Sequence, residues 1–311
     1  PLFVEQPNLQ GVGNGSRGYI AGGAATAGSN TTTWGPSYYI GGSNSITAFP
    51  FATPTTITTD VGDLINPQFA NGSGAQSPTH GYVAGGKYPS PSPFLGPYNN
   101  TIEKFALTTS ANATSVGNLA HDRFDTAGNT SSAHGYSVGG AASMPTGGTN
   151  NIERFPFASD DNSVDVGDLF TVTRNHTGVS SMTHGYAVSG MDDDNVYFGI
   201  DNIQKFPFAS SVTTQDIGNL SNRVGGSGHQ DVTNGASYGF VCGGLGPGPS
   251  PNPGLAGGTT SPGMIRRFSF VSDGDAVSIG DADFFGSDDD RNGLTGVSSP
   301  SKGYIIGGAR A

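Results

Sequence analysis

Cysteine is almost missing from this chain. Cys242 stands alone among 311 residues, which excludes an intrachain disulfide framework and a cysteine-rich zinc centre. Charge is scarce at 12% and leans acidic, with 24 Asp and Glu against 13 Lys and Arg. A phosphate-backbone binder needs basic surface, so no nucleic-acid partner is expected. No apolar run approaches the ~18 residues that span a bilayer, so no membrane insertion is expected. The opening "PLFVEQPNLQ" lacks a basic region followed by an apolar one, so no signal peptide is expected. No stretch sustains a helical period.

What the chain does hold is glycine and aromatics: 51 Gly, 18 Phe and 11 Tyr. Disordered chains are poor in aromatics and rich in charge, so this composition points instead to short strands joined by tight turns. A Gly-aromatic-x-x-small-Gly frame occurs six times, as "RGYIAGG" (17–23), "HGYVAGG" (80–86), "HGYSVGG" (134–140), "HGYAVSG" (184–190), "YGFVCGG" (238–244) and "KGYIIGG" (302–308). A second frame follows the first five copies, as "SITAFPF" (45–51), "TIEKFAL" (101–107), "NIERFPF" (151–157), "NIQKFPF" (202–208) and "MIRRFSF" (264–270). A third closes each of those units: "VGDL" (61–64), "VGNL" (116–119), "VGDL" (166–169), "IGNL" (217–220) and "IGDA" (279–282).

Each unit reads as four strands. A Ser/Thr/Gly-rich strand leads into the Gly-Tyr strand, which ends at Gly-Gly. The Ile-x-x-Phe strand is third, and the fourth runs through Val-Gly-Asp-Leu. In "NIERFPF", Phe155 and Phe157 share a face and Ile152 faces the other way. Pro156 between them cannot donate to a ladder, which places it at a strand end or bulge. A four-stranded unit of about 50 residues, repeated, is the β-propeller pattern.

The Gly-Gly that ends the second strand resembles the kelch repeat, although the Tyr and Trp spaced after it in typical kelch units are replaced here by Ile-x-x-Phe. The combined motifs "THGYAVSG", "NIQKFPFAS", "FVSDGDAVSIGD" and "SDDNSVDVGDL" resemble a kelch-like repeat in structural proteins of marine tailed phages, cyanophages included. The fold expected is an all-β, kelch-like propeller forming one domain over residues 1–311. Its units run approximately over 1–64, 65–119, 120–169, 170–220, 221–282 and 283–311. Six copies of strands one and two, against five of strands three and four, predict six blades with an incomplete last one. Five blades with a displaced terminal pair is the alternative. A neighbouring subunit or another virion protein is expected to cover the thin blade's edge.

The resemblance implies a non-enzymatic virion protein: a tail appendage, fibre-associated propeller or capsid decoration. Its partners would be other virion proteins, possible copies of itself and a host-surface glycan or receptor. The alternatives are a free-standing lectin-like or protein-binding propeller and, behind it, a glycan-active or oxidative enzyme. No Gly-x-Ser-x-Gly elbow or phosphate loop is present. The Cys-Tyr copper-radical site of some kelch-type oxidases has no matching motif here. No cofactor is expected.

His80, His134 and His184 share a repeat position with Arg17, Tyr238 and Lys302, which favours a polar rim over a catalytic or metal site. Asp63, Asn118, Asp168, Asn219 and Asp281 recur in the third frame, as turn residues or inter-blade hydrogen-bonders. Arg123, Arg174, Arg223 and Arg291 recur between units and are expected to tie neighbouring blades. Cys242 takes the place of Ala21, Ala84, Val138, Val188 and Ile306, as a small buried hydrophobe. The connections from strand two to strand three vary most and emerge on one face with the inter-blade connections. They carry the candidate binding residues Trp34, Tyr38, Tyr39, Tyr88, Phe94, Tyr98, Tyr197 and Phe198. Asp192, Asp193 and Asp194, with Asp288, Asp289 and Asp290, are a weak Ca²⁺ option.

Overall fold

A computed structural model describes residues 10–25, 41–53, 58–68, 72–88, 98–142, 147–192, 199–209, 211–220, 232–235, 237–243, 264–281 and 291–310. None of these is helical. The all-β expectation is borne out: five small sheets stand in a ring as a five-bladed β-propeller.

The first blade holds β1 (Gln10–Gly13), β2 (Arg17–Ala21), β3 (Ala24–Ala25), β4 (Gly41–Pro50) and β5 (Thr59–Gln68). The second holds β6 (Ser73–Gln76), β7 (His80–Lys87), β8 (Tyr98–Ala106) and β9 (Thr114–Asn118). The third holds β10 (Ala127–Thr130), β11 (His134–Val138), β12 (Asn151–Pro156) and β13 (Val164–Asp168). In the fourth, β14 (Thr173–Arg174) and β15 (Thr177–Ser180) both pair with β16 (His184–Asp192), followed by β17 (Gly199–Pro207). After β17 come β18 (Val212–Thr213) and β19 (Gln215–Asn219), and β18 pairs in parallel with β13 of the third blade. The fifth holds β20 (Val232–Gly235), β21 (Tyr238–Cys242), β22 (Met264–Ser269) and β23 (Val277–Asp281).

The six-blade expectation is corrected to its alternative of five. The sixth copy of the Gly-Tyr frame forms only a two-stranded ladder, β24 (Arg291–Ser298) with β25 (Gly303–Arg310). β24 lies between β20 and β1 and so fills the gap between the fifth and first blades. Without third and fourth strands it has no outer sheet to make a blade.

Two local rules explain the frames. The Gly-Gly that ends the second strand adopts positive φ at both positions, 75° and 108° at Gly85 and Gly86, a region open mainly to glycine. In the fourth blade Ser189 holds the same conformation at φ 63°. The Gly of Gly-Tyr is needed for a different reason. The cross-strand Phe ring lies over it, so a Cβ on Gly81 would sit 2.5 Å from Phe105 and one on Gly185 2.2 Å from Phe206. Pro156 ends β12 as expected, opposite His134.

Blades join through aromatic stacking in one direction. Tyr82 stacks on Phe157 of the next blade at 4.8 Å between centroids, Tyr136 on Phe208 at 4.9 Å and Tyr186 on Phe270 at 5.0 Å. Tyr304 of the terminal ladder does the same to Phe51 of the first blade, at 4.8 Å, which closes the ring. Such pairs contribute roughly 0.5–1.5 kcal/mol beyond area burial.

Candidate functional site

The ring offers two faces. On one, strands one and two are joined by tight turns built on a hydroxyl. Ser77 Oγ accepts from His80 N–H at 3.0 Å and donates to the His80 carbonyl at 3.3 Å. Ser131, Ser181 and Ser299 repeat this in the third blade, the fourth blade and the terminal ladder, and Asn14 Oδ1 substitutes in the first blade. These turns and the ends of the inner strands enclose a cavity of about 530 Å³, lined by residues such as Gln76, Thr130, Ser180, Met182, Val297 and Ser298.

His80, His134 and His184 start the second strands on this same face, half-buried. His80 Nδ1 is hydrogen-bonded to Thr79 Oγ1 at 2.9 Å, and His184 Nδ1 to Thr183 Oγ1 at 2.9 Å. Burial lowers the pKa of all three, helped by Lys104 beside His80, Arg154 beside His134 and Lys205 beside His184. Among the described residues no three His, Cys, Asp or Glu side chains come together to hold a metal ion.

The repeated polar residues are spent on inter-blade ties. Arg123 is fully buried, donates to Glu153, and reaches the Gly139 and Asn151 carbonyls at 3.4 and 3.3 Å. The third-frame residues act through their backbone: the N–H groups of Asp63, Asn118 and Asn219 donate to Asn112, Asn162 and Asp275 of the following blade's hairpin. Their carbonyls accept from Ala113, Ser163 and Ala276. Sequence reasoning passed over a second tie. The residue after Ile in the second frame, Glu103, Glu153 or Gln204, accepts a backbone N–H from the preceding connection, at Ile65, Ala120 and Thr171. Its signal was there, as an acid or amide at one buried strand position.

The opposite face carries the variable connections. Tyr98 stacks on Phe124 with centroids 5.1 Å apart, and buried Lys87 places Nζ 5.6 and 5.4 Å from the two rings. Beside them Asp125 takes a left-handed conformation, φ 55°, as does Asn175 at φ 52°. These are residue types that tolerate this region. The Asn175 amide, turned with its NH₂ toward Asp125, donates to both carboxylate oxygens at 3.2 and 3.3 Å. Desolvation of the Asp125 carboxyl by burial pushes its pKa up to about 6, against the pull of Arg174 and Lys87. Lys87 is shifted down by its own burial. Tyr88, just past the end of β7, is half-buried, and burial raises its pKa.

Trp34, Tyr38, Tyr39, Phe94, Tyr197 and Phe198 lie outside the described residues, as do Asp193, Asp194, Asp288, Asp289, Asp290 and Arg223. Asp192 ends β16, Arg291 begins β24 and Asp281 ends β23. Arg174 lies one position beyond the residue equivalent to Arg123: it is Thr173 whose carbonyl accepts from Gly140, as Arg123's accepts from Gly86. Cys242 is 3% exposed, and burial pushes its thiol up to about 12. No protein-family model matches the chain, and no curated protein matches it in sequence.

Proposed function

We propose that this chain is a non-enzymatic structural and binding module of a tailed-phage particle, placed as a tail appendage, fibre-associated propeller or capsid decoration. The observation that carries the reading is the combined repeat, "THGYAVSG" with "NIQKFPFAS" and "SDDNSVDVGDL", and its resemblance to phage structural proteins. The propeller adds support of its own kind. Its repeated charged and polar side chains serve joints between blades, as Arg123 and Glu153 do, which suits a rigid scaffold. Contacts with other virion proteins, and with a host-surface glycan, are assigned to the face that carries Tyr88 and Tyr98.

The test is to find the protein in purified particles by mass spectrometry and to locate it by cryo-electron microscopy. A fixed copy number at one position in the particle is expected. Absence from infectious particles would overturn the reading. In that case, glycan-array binding that is lost in Tyr98→Ala would favour a free-standing lectin-like propeller.

A further inference from the structure

Four contacts recur around the ring, the first inside each full blade and the others at joints between blades, and are missing, among the described residues, at one place. The first is the Phe ring over the Gly of Gly-Tyr. Gly18, Gly81, Gly135, Gly185 and Gly239 are all buried under such a ring, whereas Gly303 in β25 is exposed. The second is the hairpin that reaches back to the third-frame glycine. A Cβ on Gly62, Gly117 or Gly167 would lie 2.3, 2.3 and 2.4 Å from a carbonyl of the following blade, and one on Gly218 2.5 Å from Gly274, yet Gly280 has nothing within 4 Å. The third is the aromatic of the second strand. Tyr19, Tyr82, Tyr136 and Tyr186 are at most 3% exposed, while Phe240 at the same position is only half-buried.

The fourth contact is ionic or polar and is made at three of the four joints, the first blade having Ala48 at that position. Lys104 reaches Asp160 of the next hairpin at 2.5 Å, Lys205 reaches Asp273 at 2.8 Å, and Arg154 donates to the Ala209 carbonyl at 3.1 Å. Arg267 holds the equivalent place in the fifth blade. It lies instead over the Tyr238 ring, 4.4 Å away, with Nε buried and without a hydrogen-bond partner. By repeat equivalence all four positions belong to the side of the fifth blade and of β25 that a further third and fourth strand would cover; β24 fills the inner part of that place, and among the described residues the other edge of β25 has no paired strand.

We propose that this edge is an acceptor site for a β-hairpin from another polypeptide. The hairpin would bear an Ile-x-x-Phe-x-Phe strand, an acidic tip and a Val-Gly-Asp-type return strand. The register follows from the other blades: Phe opposite Gly303 and Ile opposite Ile306, as Phe155 faces Gly135 and Ile152 faces Val138. The acidic tip would meet Arg267. A strand adding to an open sheet edge gains ladder hydrogen bonds from the backbone and specificity from alternate side chains. A second copy of this chain is a poor donor, because its own five Ile-x-x-Phe strands are already paired on both sides. The inference stands on the joints alone and does not depend on the role proposed above.

The test uses the full chain and a labelled synthetic peptide of residues 150–168, "NNIERFPFASDDNSVDVGD". Saturable one-to-one binding by fluorescence anisotropy is expected, with amide-exchange protection gained at Gly303–Ile306 and Val277–Gly280. A peptide carrying Phe155→Ala should bind at least tenfold more weakly. In the protein, Gly303→Leu fills the space under the missing ring and should cut affinity about as much. Its melting temperature should not move, since the position is exposed. Arg267→Gln should weaken binding and flatten its salt dependence. No binding at millimolar peptide, binding indifferent to Gly303→Leu and Phe155→Ala, or protection elsewhere in the ring would each overturn the proposal.

Discussion

Arg123 and Glu153 form an ion pair that is closed off from water at both ends, with side chains 1% and 0% exposed. Glu153 is also held by Ala120 N–H at 2.8 Å and Ser163 Oγ at 2.6 Å, so the pair fastens the second blade's exit to the third. Removing one partner leaves the other charge buried without its main counter-charge. Glu153→Leu and Arg123→Met are each expected to destabilise the protein by about 3–5 kcal/mol. The double variant should lose less than the sum of the two. Urea denaturation of the three variants checks this, and simple additivity would contradict the pairing.

Gly117 and Gly280 hold the same repeat position in different company. The Asp161 carbonyl crowds Gly117, and Gly280 is open. Gly117→Ala should cost about 1–3 kcal/mol through overpacking, while Gly280→Ala should stay within about 0.5 kcal/mol. Thermal melts of the two variants decide it.

The rim histidines give stability a direction with pH. Each has a folded pKa below its ordinary value of 6.5. Their contribution is therefore complete above that value and is lost as pH falls through the folded pKa. Asp125 runs the other way. Its pKa is raised from 3.8 to about 6, so its contribution is complete below 3.8 and is lost as pH rises through about 6. The triple variant His80→Gln, His134→Gln, His184→Gln should flatten the loss of stability on acidification. Asp125→Asn should raise stability at pH 8 relative to pH 4, compared with the parent chain. Carboxyl carbon NMR should find Asp125 titrating near 6.

Tyr98 is a candidate binding residue that also carries structure. Its stacking on Phe124 under Lys87 means that Tyr98→Ala should lower stability by about 1–3 kcal/mol, from lost ring packing and cation–π contact. A Tyr98 used only for ligand contact would leave the melting temperature unchanged.

Ser189 sits at φ 63° where the other blades have glycine. Left-handed backbone costs a non-glycine residue roughly 1–2 kcal/mol, partly offset by the extra freedom glycine gives the unfolded chain. Ser189→Gly should therefore stabilise by about 0.5–1 kcal/mol in urea titrations.

The strands of each blade were legible because their frames encode local necessities: a glycine under a ring, two glycines at positive φ, a proline at a strand end. Blade count was not, because two strands at the ring's closure read alike whether they begin a blade or fill a wedge. A further signal stood in plain view. Gly11, Gly74, Gly128, Gly178 and Gly296 each precede the Gly-Tyr glycine by seven residues. At the axis the nearest neighbour of Gly11, Gly128 and Gly178 is a backbone carbonyl, with a Cβ on Gly128 falling 2.0 Å from the Gly74 carbonyl. Of the candidate site, the histidine rim and the Arg123 tie followed from repeat position alone. The cluster of Lys87, Asp125 and Asn175 could not, since these residues come from different repeats and have no shared frame to betray them.

The stacking of Tyr82, Tyr136 and Tyr186 on the next blade's Phe, with Tyr19 bonded through its hydroxyl to the Leu107 carbonyl in the same place, gives the ring a sense of rotation. Every blade is clasped by the one before it, and the terminal ladder clasps the first through Tyr304. Among the described residues, only Phe240 has no ring ahead of it. A closed hoop with one loose joint does not fail at random: thermal opening, proteolytic nicking and mechanical peeling should all begin between the fifth blade and the ladder, where local unfolding breaks the fewest contacts. Whatever seats itself in that joint would govern how long the whole hoop stays shut.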